Sequence, residues 1–341
     1  MFNQCLEKVI AGQNLSEKEM EGTMRAIMEG EVSESQIAGM LVGLRMKGET
    51  IEEITGAARV MREKAISIRN IKELSIDTCG TGGDGSNTFN ISTTVTFVLA
   101  AGGLTVAKHG NRSVSSKCGA ADVLEALGVN LSLTPSQVEK CVEEINLGFL
   151  FAPVHHKAMK YAIKPRRDLG LRTIFNVLGP LTNPAAVNYQ VMGVYHPSLI
   201  YPLASVLKNL GVKSAMVVNG NGHIDEFTLS GPNHVAYLHD NQIKEMEITA
   251  EDVGLKQAAL EDITGGSPDI NKDIILDILK GKTGPKRDVV LFNAAAAFKV
   301  TGLSQTWDEG IKMAAEIIDS GKAFKKLNEL IMFTNKQVVS A

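Results

Sequence analysis

The stretch Leu74-Ser-Ile-Asp-Thr-Cys-Gly-Thr-Gly-Gly-Asp-Gly85 joins a short strand pattern to a turn that contains four glycines. Strand and helix patterns then alternate along the chain. Further strands are predicted at 104–108, 148–152, 189–195 and 214–219, and helices at 120–127, 135–145 and 198–210. This alternation is typical of an α/β protein whose central sheet is mainly parallel. Segments 235–239 and 242–248, which flank Asp240-Asn241, are predicted to add an antiparallel hairpin.

The first 70 residues are predicted to be helical throughout. Three capping boxes, each a Ser or Thr followed three residues later by Glu or Gln, begin runs with helical spacing. They are Ser16…Glu19, Ser33…Gln36 and Thr50…Glu53. We therefore predict a small all-helical domain at 1–70, onto which helices from about 160–185 pack, and a larger α/β domain at 71–341. The larger domain combines the sheet with a helical C-terminal part, where the Ala-rich run 293–298 favours tight helix packing.

The overall composition excludes several classes of protein. Of 341 residues, 44% are hydrophobic, and 35 Lys and Arg nearly balance 38 Asp and Glu. Nucleic-acid coats carry a cationic excess, and disordered chains combine low hydrophobicity with high net charge, so both are disfavoured. The chain starts without a signal-peptide pattern, and its most apolar stretch, 95–106, is too short to span a bilayer, which predicts a cytoplasmic protein without membrane contact. The four cysteines show neither zinc-site nor disulfide spacing.

The glycine turn is the first candidate for a functional site. Seven of the 32 glycines fall between Gly80 and Gly110, and glycine-rich turns let backbone N–H groups surround an anion such as phosphate. The spacing Gly80-x-Gly82-x-x-Gly85 also matches the dinucleotide fingerprint, but no helix pattern begins at once and no acidic residue follows about 20 positions on. A plain glycine turn is the simpler alternative. Asp84 favours a functional site, because a carboxylate beside a phosphate requires a cation or hydroxyl groups.

Two polar segments after this turn indicate further anion binding. Asn90-Ile-Ser-Thr93 precedes a helical run, and we predict that Ser92 or Thr93 caps a helix whose N-terminus suits a phosphate. Residues 104–119 contain three cationic side chains, one His and no acid, interleaved with small hydroxyl residues. This loop leaves the carboxyl end of a predicted strand, where ligands bind in α/β sheets. An ordinary solvated loop is the alternative.

A second basic segment spans residues 155–172. Six cationic residues lie between 156 and 172 with a single acid, and three of them are lysines at helical spacing, which most often form a solvated stripe. Pro165 is predicted to break the helix and leave Arg166 at a junction, where its planar guanidinium can bind a carboxylate. The adjacent histidines at 155 and 156 do not suit a metal. The apolar stretch 175–184 is interpreted as a hinge, a wall for a ring or an interdomain connection.

An adjacent acidic pair, Asp225-Glu226, follows a glycine-containing turn after the predicted strand at 214–219. Mg²⁺ prefers oxygen ligands, including carboxylates and the phosphates of a substrate. An exposed Asp-Glu step without function is the usual alternative. The phosphate-binding loops favour the metal interpretation, because bound phosphates require a counter-cation.

In this order, and over most of the chain, these segments resemble the anthranilate phosphoribosyltransferase family of tryptophan biosynthesis, in the nucleoside-phosphorylase-like class. The resemblance implies a homodimer that uses Mg²⁺, two ions per subunit, and two small-molecule substrates, 5-phosphoribosyl 1-diphosphate (PRPP) and anthranilate. It implies transfer of the phosphoribosyl group to the anthranilate amine with release of pyrophosphate, as the second step from chorismate. A contact with anthranilate synthase stays open, and the form fused to a glutamine amidotransferase is not expected.

The same resemblance assigns roles to individual residues. It implies that PRPP is bound by Gly80, Gly83, Asp84, Thr88, Asn90, Ile91, Ser92, Thr93, Lys108, His109, Gly110, Asn111, Arg112, Ser113, Val114, Ser115, Ser116 and Ala120. It implies that anthranilate contacts Gly80, Asn111 and Arg166, that Ser92, Asp225 and Glu226 meet the metal, and that Lys108 and Asp84 are catalytic. The family usually has Ser where this chain has Cys118 and Ala120, so Ala120 offers the 5′-phosphate a backbone N–H and no hydroxyl.

Three alternative functions are weaker. Pyrimidine nucleoside phosphorylases share the fold, but their Lys-His-Ser-Thr-Gly-Gly signature is replaced by Lys108-His-Gly-Asn111. A non-catalytic relative that binds nucleic acid is disfavoured by the net charge of −3 and by the intact acidic pair. An NAD-dependent oxidoreductase is disfavoured by the spacing around the glycine turn.

Overall fold

The computed structural model describes residues 1–69, 71–113 and 117–339. The chain begins with four helices, α1 (Phe2–Ile10), α2 (Glu17–Glu29), α3 (Glu34–Lys47) and α4 (Ile51–Lys64). All three predicted capping boxes are formed, with Ser16, Ser33 and Thr50 each exchanging hydrogen bonds with the residue three positions later. These bonds satisfy N–H groups that a helix leaves free at its start, so they fix where α2, α3 and α4 begin.

Among the described residues, one seven-stranded sheet follows these helices. Its strands are β1 (Ser75–Thr78), β2 (Thr105–Gly110), β3 (Leu147–Phe151), β4 (Tyr189–Gly193), β5 (Ser214–Gly220), β6 (Asn233–His239) and β7 (Gln242–Ile248). The order is β3-β2-β1-β4-β5-β6-β7; the first five strands are parallel, and β6 and β7 form an antiparallel hairpin. Asp240 and Asn241 have φ angles of 48° and 59°, as a two-residue hairpin turn requires. The predicted mainly parallel α/β sheet with an added hairpin is confirmed.

Helices connect the strands and complete the C-terminal part. Those between strands are α5 (Ile91–Ala101), α6 (Ala120–Ala126), α7 (Pro135–Ile145), α8 (Ala152–His155), α9 (Lys160–Leu169), α10 (Phe175–Leu181) and α11 (Ile200–Asn209). The last four are α12 (Pro268–Leu279), α13 (Pro285–Val300), α14 (Trp307–Asp319) and α15 (Lys322–Val339). The predicted tight packing of the Ala-rich run is confirmed, because a Cβ at Gly310 of α14 would lie 2.9 Å from Cα of Ala295.

In the described part of the chain, two large apolar cores lie on opposite faces of the sheet, and a third, smaller cluster of buried residues includes Ala107 of β2 and Leu150 of β3. Alternate strand residues point to opposite faces, and Val217 belongs to the core shared with α2–α4, α10 and α11, whereas Val218 belongs to the core shared with α5 and the C-terminal helices. Ala162 of α9 and Phe175 of α10 are buried in the first of these cores. The domain boundary at residue 70 stays a prediction, and residues 70, 340 and 341 lie outside the described part of the chain.

The prediction that Pro165 breaks its helix is wrong. Helix α9 continues through Pro165 to Leu169 and ends at Gly170, whose φ is 60°. Proline removes one backbone N–H from a helix, and the burial of Pro165 in α9 offsets that loss. The stretch interpreted as a hinge, wall or connection forms the buried helix α10, again with a proline inside. Within the described ranges, no helix is both long enough and apolar enough to cross a membrane.

Candidate active site

The glycine turn lies at the carboxyl end of β1 and faces the loop that follows β5. Gly82, Gly83 and Gly85 have φ angles of 67°, 71° and 77°, which residues with a Cβ rarely adopt. A Cβ at Gly80 would lie 2.5 Å from Oδ2 of Asp225. Glycine is therefore required both for the shape of the turn and for the close approach of Asp225.

Hydrogen bonds join this turn to the acidic pair. The backbone N–H of Gly82 donates to Oδ2 of Asp225 at 2.7 Å, and the N–H of Asp225 donates to Oδ2 of Asp84 at 3.3 Å. Asp84 also accepts from the N–H and the hydroxyl of Ser86, at 3.1 Å and 2.7 Å. The donors of the predicted anion-binding turn thus face carboxylates that come partly from a distant loop.

Three carboxyl groups, those of Asp84, Asp225 and Glu226, share this part of the molecule. Burial, followed by the charges of Asp84 and Glu226, raises the pKa of Asp225 well above its usual range. Burial raises the pKa of Glu226 to about 7, against the opposing effect of Lys108. Desolvated carboxyl groups that repel one another are stabilised in their charged form by a cation. The pair therefore has the electrostatic character of a cation site.

Lys108 places an ammonium group between β1 and α5. Its side chain is buried, and Nζ donates to the carbonyl of Thr78 at 2.6 Å and to Oγ of Ser92 at 3.3 Å. The neighbouring Asp77 of β1 is fully buried, and burial raises its pKa to about 6 while Lys108 opposes that shift. The buried ammonium group of Lys108 thus favours the charged forms of both Asp77 and Glu226, at the carboxyl ends of the parallel strands.

The start of α5 differs from its prediction, since neither Ser92 nor Thr93 caps it. The helix begins after Asn90, whose side chain makes no capping bond, and Thr93 is buried within the helix. The N–H of Ser92 donates instead to Oε1 of Glu226 at 3.1 Å. A carboxylate is a favourable partner for the free N–H groups of a helix N-terminus. The cap therefore comes from a residue 134 positions away.

Asn90 connects α5 to two other elements. Its Nδ2 donates to the carbonyl of Cys118 at 3.1 Å, and its Oδ1 accepts from Nδ2 of Asn271 in α12 at 2.9 Å. Thr88 lies before Asn90 and bridges to Thr264. The side chain of Asn90 is thus held in one orientation beside the loop that follows β2.

In the loop after β2, which contains no acidic residue of its own, Arg112 is paired with two acids of the next helix. Arg112 donates to both carboxylate oxygens of Glu125, at 2.6 Å and 2.8 Å, and to Asp122 at 3.1 Å. Asp122 also accepts from the N–H groups of Ser113 and Gly119, at 3.0 Å and 2.8 Å. Both acids belong to α6, so the run 104–119 did not reveal them. Three predicted PRPP residues lie outside the described part of the chain: Val114, Ser115 and Ser116.

Other predicted PRPP residues lie at the end of β2, in the loop that follows it and at the start of α6. His109 is buried beside Lys108, where its N–H donates to Asp77 at 3.2 Å and Nδ1 lies 3.1 Å from the carbonyl of Gly179. Burial, followed by the neighbouring His156 and His155, lowers the pKa of His109 to about 3, so this ring is neutral. The remaining predicted residues are Gly110 at the end of β2, the exposed Asn111 and Ala120 at the start of α6.

Arg166 lies within α9 and above the ring of Phe175, with its guanidinium carbon 5.1 Å from the ring centroid. Burial lowers the pKa of Arg166. Within the described residues, its guanidinium makes no hydrogen bond or ion pair with a protein group, and none joins it to Gly80 or Asn111. The neighbouring Arg167 is exposed. A half-buried guanidinium with free donors is suited to bind a planar carboxylate.

Three contributors to the site were missed by sequence reasoning. The guanidinium of Arg172 stacks on Tyr195, 4.1 Å from the ring centroid, and donates to the carbonyl of Gly83. Asn271 orients Asn90, and Asn293 of α13 bonds the backbone of Phe227 beside the acidic pair. A polar residue inside an apolar helix pattern, as at Asn293, is the signal that could have found such residues.

A preformed metal cage is not seen in the described ranges, where no three His, Cys, Asp or Glu side chains gather closely enough to hold an ion. The site nevertheless fits Mg²⁺ in its usual protein chemistry, in which one or two carboxylates bind the ion and water and substrate phosphates complete its coordination. Asp225 and Glu226 supply such carboxylates. Their pKa values are raised, and a bound cation would lower them.

Comparison with protein families matches both parts of this architecture. Residues 3–65 match the helical bundle domain of the glycosyl transferase family, and residues 72–324 match the a/b domain of the same family. The fold and site therefore define a two-part glycosyl transferase. Anthranilate phosphoribosyltransferase of Petrotoga mobilis is 60% identical over 335 residues, which covers 98% of this chain and 97% of that protein. The chain belongs to the anthranilate phosphoribosyltransferase family.

Solved structures of the same family share the fold. The crystal structure of anthranilate phosphoribosyltransferase from Thermus thermophilus has a TM-score of 0.93 and 43% identity, over 97% of this chain and 99% of that chain. The Saccharomyces cerevisiae enzyme in complex with PRPP and Mg has a TM-score of 0.90 and 28% identity, over 98% of each chain. The yeast enzyme in complex with 4-fluoroanthranilate has a TM-score of 0.88 and 27% identity, over 98% of each chain.

Proposed function

We propose that this protein transfers the 5-phosphoribosyl group of PRPP to the amine of anthranilate, which yields N-(5-phosphoribosyl)anthranilate and pyrophosphate. One observation carries the proposal. The glycine turn, the start of α5, Lys108 and the pair Asp225-Glu226 meet at the carboxyl ends of the parallel strands. Ligand sites in α/β proteins form at the carboxyl ends of the strands. Family membership supports this reaction, and with it a place as the second step from chorismate to tryptophan.

The residues at the carboxyl ends of these strands suit the binding of a phosphoribosyl diphosphate. Backbone N–H groups of the glycine turn and of α5, together with the loop 108–116 and Ala120, would hold the phosphates and ribose of PRPP. Ser92, Asp225 and Glu226 would hold Mg²⁺, with two ions per subunit in our proposal. Bound Mg²⁺ neutralises charge that develops on a departing pyrophosphate.

The chemical step depends more on the positioning of the two substrates than on proton transfer. The anthranilate amine is neutral near pH 7, so its nitrogen can form the new bond to C1 of the ribose while the C1–O bond to pyrophosphate breaks. The nitrogen then loses one proton to the departing pyrophosphate or to water. The transition state resembles an oxocarbenium ion, as in glycoside hydrolysis. Lys108 and the N–H groups of the turn stabilise the negative charge that leaves with pyrophosphate. Asp84 orients the turn through Ser86 and the backbone of Asp225.

The acceptor substrate requires a separate contact. Arg166 would pair with the anthranilate carboxylate, with Gly80 and Asn111 nearby in the bound state. Movement of the N-terminal helices toward the sheet would exclude water, which otherwise hydrolyses PRPP. A homodimer and a cytoplasmic location stay predictions of the sequence; light scattering of the purified protein measures the first.

A direct assay tests the proposed function. Purified protein is mixed with PRPP, anthranilate and MgCl₂, and the loss of anthranilate fluorescence is followed while mass spectrometry identifies the product. We expect turnover that requires all three additions. A parallel reaction with thymidine and inorganic phosphate measures nucleoside phosphorolysis. Phosphorolysis without loss of anthranilate would replace this proposal with the phosphorylase alternative.

A further inference from the structure

Asn293 lies in the middle of the buried helix α13, and its polar side chain is almost completely enclosed. Its Oδ1 accepts from the N–H of Phe227 at 3.1 Å, and its Nδ2 donates to the carbonyls of Phe227 and Val289, each at 2.9 Å. A side-chain amide that bonds both the N–H and the carbonyl of one residue fixes the position and direction of that backbone. Buried polar groups with full hydrogen bonding rigidify their surroundings.

Phe227 directly follows the acidic pair. Its ring is fully buried, with its centroid 4.9 Å from that of Phe292 and 5.7 Å from that of Trp307. Asn293 and Glu226 also line one narrow pocket. Backbone and ring of Phe227 are therefore both attached to the C-terminal helices, which places the adjacent carboxylates against the glycine turn and α5.

We propose that Asn293 is a positioning residue for the Mg²⁺ and pyrophosphate chemistry of this site, acting through the backbone of Phe227 on Asp225 and Glu226. The inference rests on the proposed function and adds α13 to the parts of the chain that build the site. Residues that orient metal ligands typically contribute about 10- to 100-fold to metal affinity. A residue with a purely structural role would change stability and leave the Mg²⁺ dependence unaltered.

The test compares Asn293→Ala and Asn293→Ser with Thr301→Val. Thr301 is a buried polar residue directly after the C-terminal end of α13. Within the described residues its hydroxyl donates to the carbonyls of Ala297 and Phe298 and makes no bond to the acidic pair, so it controls for lost stability. For each protein, circular dichroism gives the Tm, steady-state assays give the half-saturating Mg²⁺ concentration, and calorimetry gives the Kd of PRPP at several Mg²⁺ concentrations.

We expect Asn293→Ala to raise the half-saturating Mg²⁺ concentration about tenfold or more, and Asn293→Ser to raise it less. Thr301→Val is expected to lower the Tm without changing either Mg²⁺ readout. Wild-type Mg²⁺ dependence in folded Asn293→Ala or Asn293→Ser would overturn the inference. If Asn293→Ala does not fold, Asn293→Ser at low temperature gives the answer. If the wild type does not consume anthranilate, the proposed function fails, and calorimetry with PRPP still tests Asn293.

Discussion

Oε1 of Glu226 accepts a hydrogen bond from the backbone N–H of Ser92 at 3.1 Å, so a carboxylate from the loop after β5 lies at the N-terminus of α5. The same N-terminus is proposed to receive a phosphate of PRPP. Two anions meet there only if a cation lies between them, because helix N–H groups carry only a partial positive charge. The contact between Glu226 and Ser92 therefore links helix capping to the requirement for Mg²⁺.

Replacing Glu226 by Gln separates these two roles. Glu226→Gln retains an oxygen that accepts from Ser92 and removes the negative charge, so the fold should persist while the half-saturating Mg²⁺ concentration rises about tenfold or more. Steady-state assays over a range of Mg²⁺ concentrations measure this. The matched control is Glu251→Gln, at an exposed carboxylate in the short 3-10 helix Glu251–Val253 after β7. An equal change in both variants would remove Glu226 from the metal site.

The raised pKa of Glu226 predicts a pH dependence of stability. Its folded pKa is about 7 and its ordinary value is 4.5, so the protonated form is favoured by folding. This contribution is fully present below about pH 4.5 and is lost as the pH rises through 7. Without Mg²⁺, the Tm of Glu226→Gln should therefore exceed that of the wild type increasingly between pH 5 and pH 8. A difference in Tm between the two proteins that stays constant from pH 5 to pH 8 would contradict the raised pKa of Glu226.

Mg²⁺ should reverse that trend in the wild type. A metal binds the ionised carboxylate, so its affinity falls as protons compete. We expect addition of MgCl₂ and PRPP to raise the Tm of the wild type more at pH 8 than at pH 6, and to raise that of Glu226→Gln by less. Thermal unfolding in buffers of equal ionic strength provides the measurement.

Arg166 provides a test of acceptor binding. Arg166→Ala should raise the KM for anthranilate roughly tenfold or more, because a hydrogen bond to a charged group is worth about 1.5–3 kcal/mol, and should leave the KM for PRPP nearly unchanged. The adjacent Arg167 is exposed, so Arg167→Ala is the matched control. An unaltered KM for anthranilate in Arg166→Ala would show that the carboxylate binds elsewhere.

Local patterns were sufficient to predict much of the fold. Capping boxes such as Ser16…Glu19 act over three residues, and Asp240-Asn241 forms its turn with its own φ angles, so neither depends on distant parts of the chain. The alternation of strands and helices likewise predicted the parallel sheet. Pro165 shows the limit of such rules, because its burial in the folded protein offsets a local penalty.

The site depended on contacts that no local pattern contains. Gly82 and Asp225 are 143 positions apart, Ser92 and Glu226 are 134 apart, and Phe227 and Asn293 are 66 apart. Residue types indicated phosphate and Mg²⁺ chemistry, which stays a prediction for these particular residues. Which carboxylate caps α5, and which amide holds the acidic pair, is decided by how the strands and the C-terminal helices are arranged in space.

Arg112 allows a prediction in which removal of an ion pair improves binding. Its guanidinium is occupied by Glu125 and Asp122, whereas family resemblance assigns Arg112 to PRPP. If PRPP must displace Glu125, Glu125→Gln should lower the KM for PRPP by about two- to fivefold, since exposed ion pairs contribute little. Glu143→Gln, at an exposed carboxylate on α7, is the control. A higher KM in Glu125→Gln would mean that Arg112 anchors the loop to α6 and does not bind phosphate itself.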